Sequence, residues 1–332
     1  MLLFFDGFEY ASADIPLKWD SGNSTNTSYA RTGTRNGYGA WTKTVSPGDA
    51  NVIFGCAYYS IQAGQVGALR VLYNGSAQLA VTIRADGSID VRQEYSGGTL
   101  IGSTAAGVWP TSGWNYLEVK ILLHQTAGTV VVKVNGGTVI SEIAGDKDTC
   151  YRADTLWNQI EVSSGGGSTG IDDLYLCDGT GSVNNNFLGQ VRAVPLFPQT
   201  DAVDAGSNAD FTCSGGTDHG ALVDDDPSDG DTSYVYSSTV DHVDTWSYPA
   251  LGLTGTIKGV QLGLIAKKTD SETRAIRAVA RPASTNRVDA TDQYLSTSYA
   301  RKSVIWETNP EDSEAWEVAD IDGAEFGVKV SI

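Results

Sequence analysis

The chain has 332 residues, long enough for two domains that each bury a core, and its 22 Lys+Arg against 40 Asp+Glu give a formal net charge of −18. That balance argues against nucleic-acid binding, which needs basic surface to displace counterions, and it favours solubility. With 38 Gly, 15 Tyr, 8 Trp and one Met, the composition suits strands and tight turns more than helices.

The opening "MLLFFDGFEY" is apolar but has no basic flank, and acids arrive at Asp6 and Glu9. It is too short for a signal peptide or a bilayer span and reads as a first strand. No later stretch approaches a membrane span, so the sequence predicts a soluble chain with no export address and no membrane partner. Next comes "KWDSGNSTNTSYARTGTRNGYGAW", polar and glycine-rich, carrying Trp19, Tyr29, Tyr38 and Trp41. Rings set among Asn, Thr and Arg are candidates for stacking on sugar faces. Core anchoring and contact with a neighbouring subunit are the other readings. The N-x-S/T sequons at Asn23, Asn26 and Asn74 matter only in a eukaryotic secretory setting, which nothing in the chain supports.

Strands then follow one another: "VIFGCAYYSI", "GALRVLYNG", and "LAVTIRADGSIDVRQEY" turning at Asp86-Gly87. In "WNYLEVKILLHQ", Leu117, Val119, Ile121 and Leu123 share one face, with Glu118 and Lys120 on the other. "TVVVKVNGGTVISEI" is a hairpin whose Asn135-Gly136 supplies the positive-φ turn residues. "WNQIEVSS" and "IDDLYLCD" close the series. A connector over residues 179–205 holds Phe187, Leu188, Val191, Val194 and Leu196, which are expected to need burial. Beyond it come "TSYVYSS", "TIKGVQLGLIAKK", "TRAIRAVARP" and "AEFGVKVSI". In the second of these Val260, Leu262 and Leu264 alternate with Gln261 and Gly263, and "KKTDSET" is expected to turn the chain into its partner strand. Domains are therefore expected at 1–178 and 206–332. No amphipathic helical run is long enough to compete, so the fold class is all-β.

Asp172 and Asp173 are neighbours in one strand. Alternation sends them to opposite faces, so they are not expected to act as a paired acid and base. They are read as strand-end hydrogen bonders, with calcium ligation as the alternative. "VDDDPSDGDTSY", with Asp224, Asp225, Asp226, Asp229 and Asp231, lacks EF-hand spacing and reads as a solvated turn, with adventitious calcium as its alternative. "GGGSTG" (165–170) fits both G-x-G-x-x-G and G-x-S-x-G, but a strand follows where either motif needs a helix. His124, His219 and His242 are scattered. The cysteines, Cys56, Cys150, Cys177 and Cys213, form no C-x-x-C pair, so no zinc site is expected; buried or incidental thiols are expected, with disulfide pairing as the alternative.

The order "LLFFDGFE", "WNYLEVKI", "GTVVVKVNGGTVI", "WNQIEVSS", "IDDLYLCD" resembles the concanavalin A-like jelly roll of the laminin-G and pentraxin type. That resemblance implies a sandwich over 1–178 whose last strand returns beside the first. Retaining glucanases on this fold carry two glutamates a few residues apart on one strand, flanking an acid. The first domain has no such stretch, and "EVADIDGAE" (317–325) has the wrong spacing and place, so no enzyme activity is expected.

Residues 171–332, in "IDDLYLCDGTGSVNNNFLGQVRAVPLFPQTDA", "VDDDPSDGDTSYVYSS" and "EAWEVADIDGAEFGVKVSI", resemble structural proteins of tailed-bacteriophage virions, in which a jelly roll precedes a smaller β-sandwich domain. The resemblance implies a structural protein on the particle exterior, in capsid decoration or in the tail. Such a protein is made in the bacterial host cytoplasm and partners other virion proteins in several copies or as a homo-oligomer. The alternative is a carbohydrate-binding module of a phage tail that recognises a host-surface glycan. No cofactor is expected, apart from the calcium alternative.

Overall fold

The computed structural model describes residues 1–59, 66–141, 147–165, 169–199 and 208–332, so residues 166–168 of the glycine-rich motif and 200–205 of the connector lie outside the described residues. The chain divides into two compact units, Met1–Pro195 and Leu196–Ile332. Both are built from antiparallel strands, as the alternating pattern predicts.

In the first unit a single thirteen-stranded sheet runs, in order, through Gly137–Ile140, Thr129–Val134, Trp114–Leu122, Asn51–Tyr59, Gly170–Cys177, Asn36–Thr44, Gln159–Ser163, Val66–Tyr73, Ser76–Ile83, Ile89–Gln93 and Leu100–Ser103. Leu2–Asp6 joins Gly170–Cys177, and Ser21–Asn26 joins Asn36–Thr44. The inward residues of both halves, among them Val52, Phe54, Leu79, Val81, Leu117, Val119, Ile160 and Leu174, form one buried cluster. The sheet therefore folds over on itself into a two-layered jelly-roll sandwich. The opening and closing strands are neighbours as expected, with Leu2 opposite Cys177 and Asp6 opposite Leu174. Asn135 and Gly136 make the predicted tight turn at φ 49° and 83°, and Leu117, Val119, Ile121 and Leu123 are all fully buried.

Among the described residues the second unit pairs Thr212–Cys213 with Val235–Tyr236 in a small two-stranded sheet and sets two further sheets around a smaller core. One contains Val243–Ser247, Glu325–Val330, Ala275–Arg281, Arg287–Val288 and Gln293–Tyr294; the other pairs Val260–Ala266 with Ala300–Trp306. Leu262 and Trp306 from the second sheet pack with Ala278, Ala280 and Phe326 from the first. The expectation that "KKTDSET" leads into a partner strand is corrected here. Val260–Ala266 pairs with Ala300–Trp306, and Ala275–Arg281 pairs with Glu325–Val330. The loop thus carries the chain from one layer to the other, so that each strand turns its apolar side to the shared core. Among the described residues no helix is long and apolar enough to cross a membrane.

Candidate functional site

The outward side of the strand Trp114–Leu122 organises the first unit's polar chemistry. Side chains two apart face the same way, so Trp114, Tyr116, Glu118 and Lys120 form a row opposite the buried leucine–valine–isoleucine set. Glu118 is nevertheless almost fully buried. Its carboxylate accepts the Tyr175 hydroxyl at 2.7 Å and the Gly189 N–H at 2.9 Å. Gly55 lies opposite both Glu118 and Tyr175 in the sheet, and its missing side chain leaves the space that the Tyr175 ring fills.

Asp172 and Asp173, the sequence's calcium candidates, lie in the strand Gly170–Cys177 beside this row, fully buried. Strict alternation does not hold there. The register against Asn51–Tyr59 shifts between Asp172 and Tyr175, and Asp173 takes φ +50°. This bulge overturns the expectation of opposite faces, because both carboxylates converge on the same two residues. Asp172 Oδ2 accepts the backbone N–H of Arg31 at 2.8 Å and of Thr32 at 3.3 Å. Asp173 accepts the Arg31 guanidinium at 2.5 Å, the Thr32 hydroxyl at 2.8 Å and the Ala193 N–H at 2.8 Å. The Tyr116 hydroxyl donates to the Asp173 carbonyl, and the Arg31 guanidinium lies 5.1 Å from the centre of the Tyr116 ring. Burial, and then the Asp173 charge, push the Asp172 carboxyl well above the usual carboxylate range, against the three N–H donors that favour its ion. Of the two buried carboxylates only Asp173 meets the guanidinium, and Asp172 is held by backbone N–H groups alone.

The same network holds the connector. The Lys133 ammonium lies 4.3 Å from the centre of the Phe187 ring, the Leu188 N–H donates to Tyr175 Oη, and Arg31 donates to the Val191 carbonyl at 2.8 Å. Residues 187–193 are thus strapped across the sheet by hydrogen bonds. The expected burial of connector side chains is not how it is held: Phe187, Leu188, Val191 and Leu196 are half-buried, and Val194 is exposed. Among the described residues no group of three His, Cys, Asp or Glu side chains is placed to hold a metal.

Trp19 and Trp41 do not face solvent. Both are fully buried, 5.4 Å apart between ring centres, and packed on Phe8; Trp19 also meets Phe4 edge-on. Trp19 Nε1 donates to Asp6, which also accepts Tyr10 Oη at 2.6 Å and Lys18 Nζ at 2.8 Å. Burial opposes that charge, but Lys18 and the hydrogen bonds outweigh it and hold Asp6 below the usual range. These two tryptophans have no ring face to offer a sugar, which corrects the sequence assignment: the partners that bury them come from the opening segment, far from their polar neighbours in sequence. Tyr38 is half-buried on Asn36–Thr44, opposite Ser24.

Tyr29 is exposed and stacks on Tyr59 at 4.7 Å and 19° between ring planes; Tyr59 in turn meets Trp114 at 5.3 Å. The sequence reading missed Tyr59 and Trp114, because only strand register brings them together: Trp114, Tyr59 and Gly170 are directly opposed across three adjacent strands. Ile171 faces the core, so this row faces outward. Beside it sits Asn36, completely buried, whose Nδ2 and Oδ1 have no hydrogen-bond partner among the described residues.

Elsewhere, the acidic run of the second unit is exposed, with the Ser233 hydroxyl held by Asp225 at 3.0 Å and Asp229 at 2.9 Å. His219 pairs with Asp244, His242 meets Ser237, and His124 accepts two backbone N–H groups, so the histidines are as scattered as expected. All four cysteines are free thiols. Burial, then Asp172, pushes Cys56 far up, and burial, then Asp148, brings Cys150 up to about 11, so neither is an activated nucleophile.

No protein-family model and no curated protein matches the chain. Among solved structures it is similar to the Caenorhabditis elegans galectin LEC-6, at 10% identity and TM-score 0.31 over 43% of this chain and 94% of that one. A tetrameric galectin from the sponge Cinachyrella gives 16% and 0.31 over 42% and 99%. The carbohydrate-binding module CBM66 of Bacillus subtilis gives 9% and 0.26 over 47% and 91%. At these values the likenesses carry no argument about function.

Proposed function

We propose that the chain is a non-enzymatic structural protein on the exterior of a tailed-bacteriophage particle, in capsid decoration or in the tail, made in the host cytoplasm and working through protein contacts. The resemblance of residues 171–332 to virion structural proteins supplies the setting. One structural observation supports the mode of action: Asp6, Glu118, Asp172, Asp173 and Asp178, all buried in the first unit, are each engaged by donors that fix the backbone. A carboxylate engaged in this way holds a scaffold rigid and is poorly placed to exchange protons with a substrate. Assembly in many copies gives weak edges their avidity, and a charge of −18 keeps free copies apart. The test is mass spectrometry and immunogold labelling of gradient-purified particles of the phage that encodes the chain. Stoichiometric presence on the outside is expected. Absence from purified particles, or release of reducing sugar from envelope polysaccharide by the pure protein, defeats the reading.

A further inference from the structure

The outward row of the first unit contains a feature that scaffold stability does not explain. Tyr29, Tyr59 and Trp114 form a continuous run of ring contacts, Tyr29 stacked on Tyr59 and Tyr59 tilted by 52° against Trp114, that ends in the exposed Tyr29 ring. Beside it lies an amide with no partner among the described residues, and a buried amide left unbonded costs about 1–3 kcal/mol. Gly170 ties the two together. A side chain there would collide with Asn36 Nδ2 and touch the edge of the Trp114 ring at 3.4 Å, so the amide and the ring border the same space over Gly170. Trp41 Nε1, Arg70 Nε, Thr82 Oγ1 and Trp109 Nε1 of the unit also lack a partner among the described residues, but of these side chains only Asn36 leaves two atoms, a donor and an acceptor, unengaged.

We propose that Tyr29, Tyr59 and Trp114 are the stacking platform of a saccharide-binding site, and that the Asn36 amide is its hydrogen-bonding pole. An aromatic face accepts the apolar C–H face of a pyranose. An amide offers one donor and one acceptor side by side, the pair that adjacent sugar hydroxyls complement. Asn36 is completely buried, so the Trp114 ring, which borders the same space over Gly170, must move before the amide meets a sugar. The chain's charge of −18 disfavours anionic glycans, and the ligand class is a neutral oligosaccharide. This inference stands independently of the virion reading: it places the sugar site on rings that share nothing with Trp19 and Trp41.

The test uses the full chain on a printed array of neutral bacterial cell-surface oligosaccharides containing glucose, galactose, rhamnose and N-acetylglucosamine. Titration of the best-bound oligosaccharide, followed by Trp fluorescence, then gives affinities. Binding of at least one array member is expected, with Tyr29→Ala, Trp114→Ala and Asn36→Ala each weakening it by about tenfold or more. Tyr29→Ala is the decisive variant, because its exposed ring is removable without disturbing the core. Tyr151→Ala, at a tyrosine elsewhere on the unit that is more exposed than Tyr29, is expected to bind as the parent does. A blank array overturns the proposal, and so does undiminished binding by Tyr29→Ala. Neither result touches the particle-localisation test above.

Discussion

Asp172 and Asp173 of the first unit and Asp225 and Asp229 of the second both come from acidic runs and sit in opposite environments. The first two are fully buried and bound by Arg31, Thr32 and Ala193, with Arg31 lying 142 residues earlier in the chain than Asp173. The second two are exposed and share only the hydroxyl of Ser233, a few residues away. Local charge density is higher in the exposed run, DDDPSDGD, than in the buried one, IDDLYLCD, so it does not predict which acids are buried. What separates them is the delivery of distant donors, and only the buried pair is tied into a strand and a strap.

The comparison breaks first at Arg31. Removing its guanidinium in Arg31→Met leaves Asp173 buried without its counter-charge, and the expected loss is about 3–5 kcal/mol in the first unit's unfolding transition, read by denaturant titration. A loss under about 1 kcal/mol would show that the pair is not held as described.

The second test is pH. Asp172 is raised in the folded state, so between the ordinary carboxylate pKa and its folded value the native chain binds more protons than the unfolded one. Its contribution is therefore present in full below the unfolded pKa and is lost as pH rises through the folded one. Asp6 and Asp178 are lowered, and their contributions run the other way, fading as pH falls into the acid range. Stability measured across this range should decline on the alkaline side in the parent, and Asp172→Asn should remove roughly 1 kcal/mol or more of that decline. An unchanged slope in the variant sinks the assignment.

The smaller effects belong to the exposed acids. Asp225→Asn with Asp229→Asn should move stability by no more than about 0.5 kcal/mol in thermal melts. Calcium should shift the melting of the first unit least of all, because Asp172 and Asp173 already accept backbone N–H, hydroxyl and guanidinium donors. A calcium-dependent rise in Tm that Asp173→Asn removes would overturn that.

Much of the sandwich was legible. The alternation of Leu117, Val119, Ile121 and Leu123, the Asn135-Gly136 turn, and the return of the last strand beside the first all follow from local pattern and a fold-level resemblance. The site was not. The alternation argument failed at Asp173 because one residue in a left-handed conformation re-aims its neighbours. Trp19 and Trp41 looked exposed because their sequence neighbours are polar, yet Phe4 and Phe8 bury them. Tyr59 and Trp114 carried no signal, since register between strands far apart in sequence is a tertiary fact. The burial of Glu118 depends on Gly189, which the pattern of its own strand cannot announce.

The strap across the sheet also decides where the first unit can be excised. Strand ends alone suggest stopping an expression fragment just after Cys177. Such a piece would strip Glu118 of the Gly189 donor, Asp173 of the Ala193 donor and Arg31 of the Val191 acceptor, leaving raw polar groups on a face meant to be covered. A fragment that continues through Ala193 keeps its own lid, and of the two it is the one that should come out of a cell in soluble form.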